Sequence, residues 1–218
     1  MTHATHKTPS AELAKNPLIS FGRGIAQYDQ VKPEQIAPAI ESLLSGCEAA
    51  VTKAIDPKTP ASWNDLAEPL EDATEQLGRS WGVVSHLNAV ADTPELRAAY
   101  GAMLPKVTAF FASLGQNLAL YERYKEIKAS AEFLTLSPEQ QKVIDNSLRD
   151  FRLGGAELPD SQKPRFAAIQ DEQATLAKAF SDHVLDATDS FVHLVTNQTD
   201  LTGLPDDVIA AAADTAKQ

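Results

Sequence analysis

The sequence predicts an all-α fold: an antiparallel bundle of long helices with one short strand near the C-terminus. Three observations point there. Apolar residues recur at alternating three- and four-residue intervals through most of the chain, which lines one face of a helix. Helix-start signals recur at Pro33-Glu34, Thr93-Pro94-Glu95 and Ser137-Pro138-Glu139, where a proline's missing N–H costs nothing. Only residues 191–196, "FVHLVT", have the β-branched and aromatic density of a strand.

The elements follow in order. Residues 1–15 are polar and lack the apolar core of a secretion signal, so they are expected to be a flexible tail carrying His3 and His6. Residues 16–218 are expected to form one helical domain. "FGRGIAQYD" has Gly22 and Gly24 but follows no strand, so it reads as a turn rather than a phosphate loop. The first long helix starts at Pro33, with Ile36, Ile40, Leu43, Leu44, Cys47, Val51 and Ile55 on its apolar face. The second opens at Ser62, a capping residue with Asp65 three positions on, and carries the seam Leu66, Leu70, Ala73, Leu77, Val84 and Asn88.

Thr93-Pro94-Glu95 opens a third, long helix through Leu96, Tyr100, Leu104, Val107, Phe111, Leu114, Leu118 and Tyr121; Pro105 should kink or split it. Ser137 starts the next, with Val143, Ile144, Leu148 and Phe151 inward and Gly154-Gly155 past its end. A further helix is expected over 161–187, with Phe166, Ile169, Gln173, Leu176, Phe180 and Val184 at helical spacing. A lone strand needs a partner, and no second strand is visible. The Ala-rich helix after Pro205 shows no stop signal. Both features predict that the polypeptide continues past Gln218.

Composition excludes several classes. The net charge is −11 and no basic stripe exists, so nucleic acid is not an expected partner. No run approaches the roughly 18 consecutive apolar residues of a membrane span. The one cysteine, Cys47, sits in a helical apolar pattern with no adjacent His or Arg and reads as a buried structural thiol.

The search for chemistry finds little. The sequence has no G-x-S-x-G elbow, no Walker-type phosphate loop and no HExxH. Asp182 and Asp186 beside His183, with His193 ten residues on, make a metal group conceivable. The preferred reading is the polar boundary of a helical bundle, which produces such groupings without any ligand role. Asp160, Asp171 and Glu172 read as solvated helix faces. His86, in "SHLNAVADTPELRAAY", reads as a buried or half-buried structural histidine at the corner of a helical hairpin.

Five segments, "FGRGIAQYDQVKPEQIAPAIESLL", "VVSHLNAVADTPELRAAY", "VIDNSLRDFRLGGAELP", "FSDHVLDATDSFVHLVTN" and "LTGLPDDVIAAA", resemble in order and spacing the N-terminal part of the thimet oligopeptidase family of zinc metallopeptidases. The resemblance runs from about Asn16 to the C-terminus. It implies a mostly helical, cytoplasmic protein whose full-length form cleaves short peptides in a deep channel. There zinc is held by an HExxH helix and a downstream glutamate, and its bound water is the nucleophile.

No position of this chain matches those motifs, so no catalytic residue and no metal ligand is expected here, and no substrate-binding residue is identifiable. The implied role is channel wall and scaffold, inactive alone, in a polypeptide truncated before the catalytic domain. No cofactor is expected in this chain, and zinc in the full-length enzyme. The implied partners are the C-terminal catalytic domain and short peptides, with self-association of the isolated piece. The alternative from the residues alone is a free-standing helical interaction module.

Overall fold

A computed structural model describes residues 13–217. The expected tail, with His3 and His6, lies outside the described residues except for Leu13–Lys15, a single 3-10 turn. The chain divides into two units, Met1–Lys178 and Ala179–Gln218.

In the first unit the chain enters through Asn16. Its side chain accepts the Leu18 N–H at 3.0 Å, capping α1 (Pro17–Ser20), and donates to the Gln35 carbonyl at 2.8 Å. Gly22 adopts φ +50° in the turn that follows, as the paired glycines predict. Helix α2 (Pro33–Ile55) starts at its proline, and Gln35 reaches back to the Lys32 N–H at 2.8 Å. Ile36, Ile40, Leu44 and Cys47 are buried on the predicted face.

Ser62 caps as predicted, accepting the Asp65 N–H at 3.1 Å, but the first turn is wide. Trp63–Ala67 is a π-turn in which the Ala67 N–H reaches back to the Ser62 carbonyl. Pro69 has no N–H for regular helical pairing, and α3 (Glu68–Val90) becomes regular only around it. Leu66, Leu70, Leu77, Val84 and Asn88 are all buried, so the predicted seam is the packed face.

At the hairpin corner Arg97 grips the Asp92 carboxylate with two nitrogens, and Thr93 accepts the Leu96 N–H at 3.2 Å to start α4 (Pro94–Gly115). Two expectations are corrected here. The helix runs through Pro105, which lies on the solvent side, where water can satisfy the carbonyl that proline leaves unpaired. The break comes at Gln116-Asn117 instead, where Asn117 caps a separate α5 (Leu118–Ala129) by accepting the Leu120 N–H at 2.9 Å. The buried face also shifts. Met103, Val107 and Phe110 point inward, while Phe111 and Leu118 are exposed.

Ser137 and Gln140 form a reciprocal capping box at α6 (Pro138–Leu153), with Ile144 and Phe151 buried. Two apolar clusters result. One joins α1, α2, α3 and α4 around Ile40, Cys47, Leu77 and Met103; the other joins α3, α5 and α6 around Leu70, Tyr124, Ile144 and Phe151.

Helix α7 (Lys163–Ser190) crosses the boundary between the units and has no buried residue. Ile169, Leu176, Phe180 and Val184, expected as an apolar face, are exposed. In the second unit, residues 191–197 are not helical, and α8 (Asp206–Thr215) follows a 3-10 turn at Gln198–Leu201. The expected strand over 191–196 does not form: among the described residues there is no strand, because a ladder needs a second strand and none is present.

Candidate functional site

The first unit's most chemically distinctive place is a cleft of about 330 Å³ between α3, α4, α5 and α6. Its walls are apolar, from Leu70, Phe111, Leu114 and Phe151, and Glu71, Tyr124, Ser147, Thr74 and Asp150 give it polar groups. Glu71 follows directly on the buried seam residue Leu70, which carries it inward on α3. Its Oε1 accepts the Tyr124 hydroxyl at 3.2 Å and the Ser147 hydroxyl at 3.3 Å. The Ser147 hydroxyl is shared with its own helix, lying 2.9 Å from the Val143 carbonyl.

Burial pushes the Glu71 carboxyl above its ordinary value, the two hydroxyl donors pull it back, and Glu75 and Asp150 add like charge. The Tyr124 phenol is also pushed up, first by burial and then by the Glu71 charge and hydrogen bond. The group can hold a proton and can tie three helices together. No histidine is among the residues lining the cleft, and the Ser147 hydroxyl is engaged by Glu71 and the Val143 carbonyl.

A second cleft, about 550 Å³, lies between α2 and α4, lined by Leu44, Val51, Phe110, Glu48 and Lys106 among others. Lys106 is engaged with Glu41 at 2.5 Å, and Thr52 bonds the Glu48 carbonyl at 2.8 Å. Its polar groups converge on no common point.

The residues singled out by sequence are dispersed. Cys47 is fully buried and its thiol donates to the Ala73 carbonyl at 3.2 Å. Burial pushes that thiol up to about 11, so the reading of a structural cysteine holds. His86 is exposed rather than buried, meeting Tyr28 edge-on with ring centroids 5.4 Å apart. It lies two positions from each of the buried residues Val84 and Asn88, and helical geometry turns it to the opposite face. His183 and His193 are exposed, on α7 and on the non-helical segment after it. Among the described residues no three His, Cys, Asp or Glu side chains gather as metal ligands do. With no HExxH in the sequence, the donor set does not fit the zinc site of the resembled family. Asp171 and Glu172 are exposed on α7, as solvated helix faces should be, whereas Asp160 is exposed in the turn before that helix and not on a helix face.

Sequence reasoning missed Glu71, Tyr124 and Ser147. The partners of Glu71 lie 53 and 76 residues away, so no local spacing announces them. The one local signal is a glutamate directly following a seam leucine.

Comparison with known proteins adds a family. Residues 40–163 match the model of the N-terminal domain of neurolysin and thimet oligopeptidase. That match ends at Lys163, the first residue of α7. Oligopeptidase A of Haemophilus influenzae is 38% identical over 93% of this chain and 29% of its own length. Oligopeptidase A of Escherichia coli is 35% identical over 90% of this chain and 29% of its own. A probable cytosolic oligopeptidase A of Arabidopsis thaliana is 35% identical over 94% of this chain, again 29% of its own. The chain thus spans under a third of the length of the curated relatives it matches.

Proposed function

The chain belongs to the neurolysin and thimet oligopeptidase family through its N-terminal domain, and we propose that it serves as the helical N-terminal region of a zinc-dependent oligopeptidase acting on short peptides in the cytoplasm. Its role is to form the wall of the substrate channel and to support a catalytic domain that brings the zinc ligands. The observation that carries this reading is the match of nearly the whole chain to the oligopeptidases A, in a sequence without HExxH. The described helices of the first unit supply what such a wall needs, a bundle packed around two apolar clusters.

Two measurements test it. With zinc and a quenched fluorescent short peptide, the 218-residue chain is expected to show no turnover; zinc-dependent cleavage that persists through repurification refutes the scaffold role. When this chain replaces the matched region of the Escherichia coli enzyme, the hybrid is expected to cleave short peptides and to reject folded proteins. A folded hybrid with no peptidase activity, or one that digests folded substrates, overturns the channel-wall reading.

A further inference from the structure

The second unit holds a strand-forming segment without a strand to pair with. The N–H groups of residues 192–197 and the carbonyls of 191–196 make no hydrogen bond among the described residues. The same segment is the chain's best β-forming sequence, with Phe191 and Val195 on one side of an alternating pattern and Val192 and Leu194 on the other. All four are exposed, Val192 the most at 83%. Apolar side chains on both faces mark a strand covered from both sides, not an edge facing water.

The surroundings demand cover as well. No described residue from 179 to 217 is buried, and Phe180, Val184, Leu204 and Val208 add to the exposed apolar surface. A segment of this size cannot hold itself together with nothing buried. The segment also carries seven aspartates against one lysine.

The comparisons show that its relatives extend well beyond it, each being matched over only 29% of its length. The N-terminal domain model stops at residue 163, yet the Arabidopsis relative matches 94% of the chain, leaving too few residues unmatched to exclude 191–196. The alignments to the longer proteins therefore span the segment, beyond the residues that the N-terminal domain model matches.

We propose that residues 191–197 are one strand of a β-ladder completed by the remaining part of the oligopeptidase chain, through an extended apolar segment bordered by Lys or Arg. The inference rests on the family role proposed above and names the contact by which the region joins the rest of the enzyme. The backbone groups give the affinity, the alternating Phe191, Val192, Leu194 and Val195 give the register, and the aspartates select a basic border.

The test is to co-express the full 218-residue chain with a tagged remainder of Escherichia coli oligopeptidase A, purify by the tag and follow backbone amide exchange. Co-purification is expected, with amides in 192–196 exchanging at least 100-fold more slowly than in the chain alone. Leu194→Pro should abolish that protection and lower recovery at least tenfold, while the circular dichroism of the chain alone stays unchanged. Failure to co-purify, or a complex in which these amides exchange as in the free chain, overturns the inference. A complex that cleaves peptides without protecting the segment sinks the strand contact and leaves the scaffold role standing. A protected complex with no activity does the reverse. Protection that rises with the concentration of this chain alone assigns the strand to a second copy, and the proposal fails.

Discussion

Gly115 and Gly154 bring the ends of α4 and α6 into backbone contact. A Cβ on Gly154 would stand 2.8 Å from the Gly115 Cα, and one on Gly115 would stand 3.2 Å from the Gly154 Cα. Gly154 has φ −73°, which any residue adopts, so closeness and not conformation requires glycine there. Its neighbour Gly155, at φ +93°, is glycine for the opposite reason. Both glycines line the cleft that holds Glu71.

Gly154→Ala should cost about 1–3 kcal/mol, the range for forcing atoms into a close-packed contact. Gly115→Ala should cost less, since its clash is milder and alanine favours a helix. Urea denaturation of both variants checks the order; a Gly154→Ala protein as stable as the parent refutes the contact.

Ser80 ties the N-terminal segment to α3. Its hydroxyl is fully buried and lies 2.6 Å from the Leu18 carbonyl and 2.9 Å from the Gln76 carbonyl. Ser80→Ala should destabilise by about 1–2 kcal/mol, leaving a buried carbonyl short of a donor. The amides that open with α1 should lose protection first in hydrogen exchange. Uniform loss across the bundle would show that the bond does not act locally.

Glu71 makes stability depend on pH. Its carboxyl is raised in the folded state, so the stabilising contribution of its protonated form is complete below the ordinary value of 4.5. That contribution is lost as pH rises through the folded value. Glu71→Gln keeps an acceptor for Tyr124 and Ser147 and removes the charge. The variant should therefore melt higher than the parent near pH 7, with the gap closing below pH 4.5. Melting curves across pH 4–8 decide it, and a variant less stable at neutral pH contradicts the assignment.

Cys47 should resist a thiol reagent until the bundle opens. Its protonated form contributes stability below the ordinary value of 9.0, lost as pH rises through about 11. At pH 8, modification by a disulfide reagent should track global unfolding in urea. Full modification within seconds in native buffer would place the thiol at the surface.

Local chemistry was legible in advance. Caps at Ser62, Thr93 and Ser137 act within three residues of themselves, so each helix start could be read directly and each is found. The α3 seam was legible too, because its six residues repeat at a spacing that only one face of a helix satisfies, and five of the six are buried. The Glu71 cluster was not, since its partners come from two later helices. Pro105 misled about where the helix ends: α4 continues through it on the exposed side, where water can satisfy the freed carbonyl, and the chain breaks at Gln116-Asn117 instead.

The sequence by itself determined that the chain is helical, where the helices capped at Ser62, Thr93 and Ser137 begin, and which family it resembles, because caps, periodicity and ordered segments are written along one dimension. Tertiary structure decided which apolar faces are buried. Phe110 turned inward and Phe111 outward; the α7 stripe stayed exposed; and residues 191–196 found no ladder. Burial and strand pairing are properties of two surfaces meeting, and a periodic pattern describes only one of them.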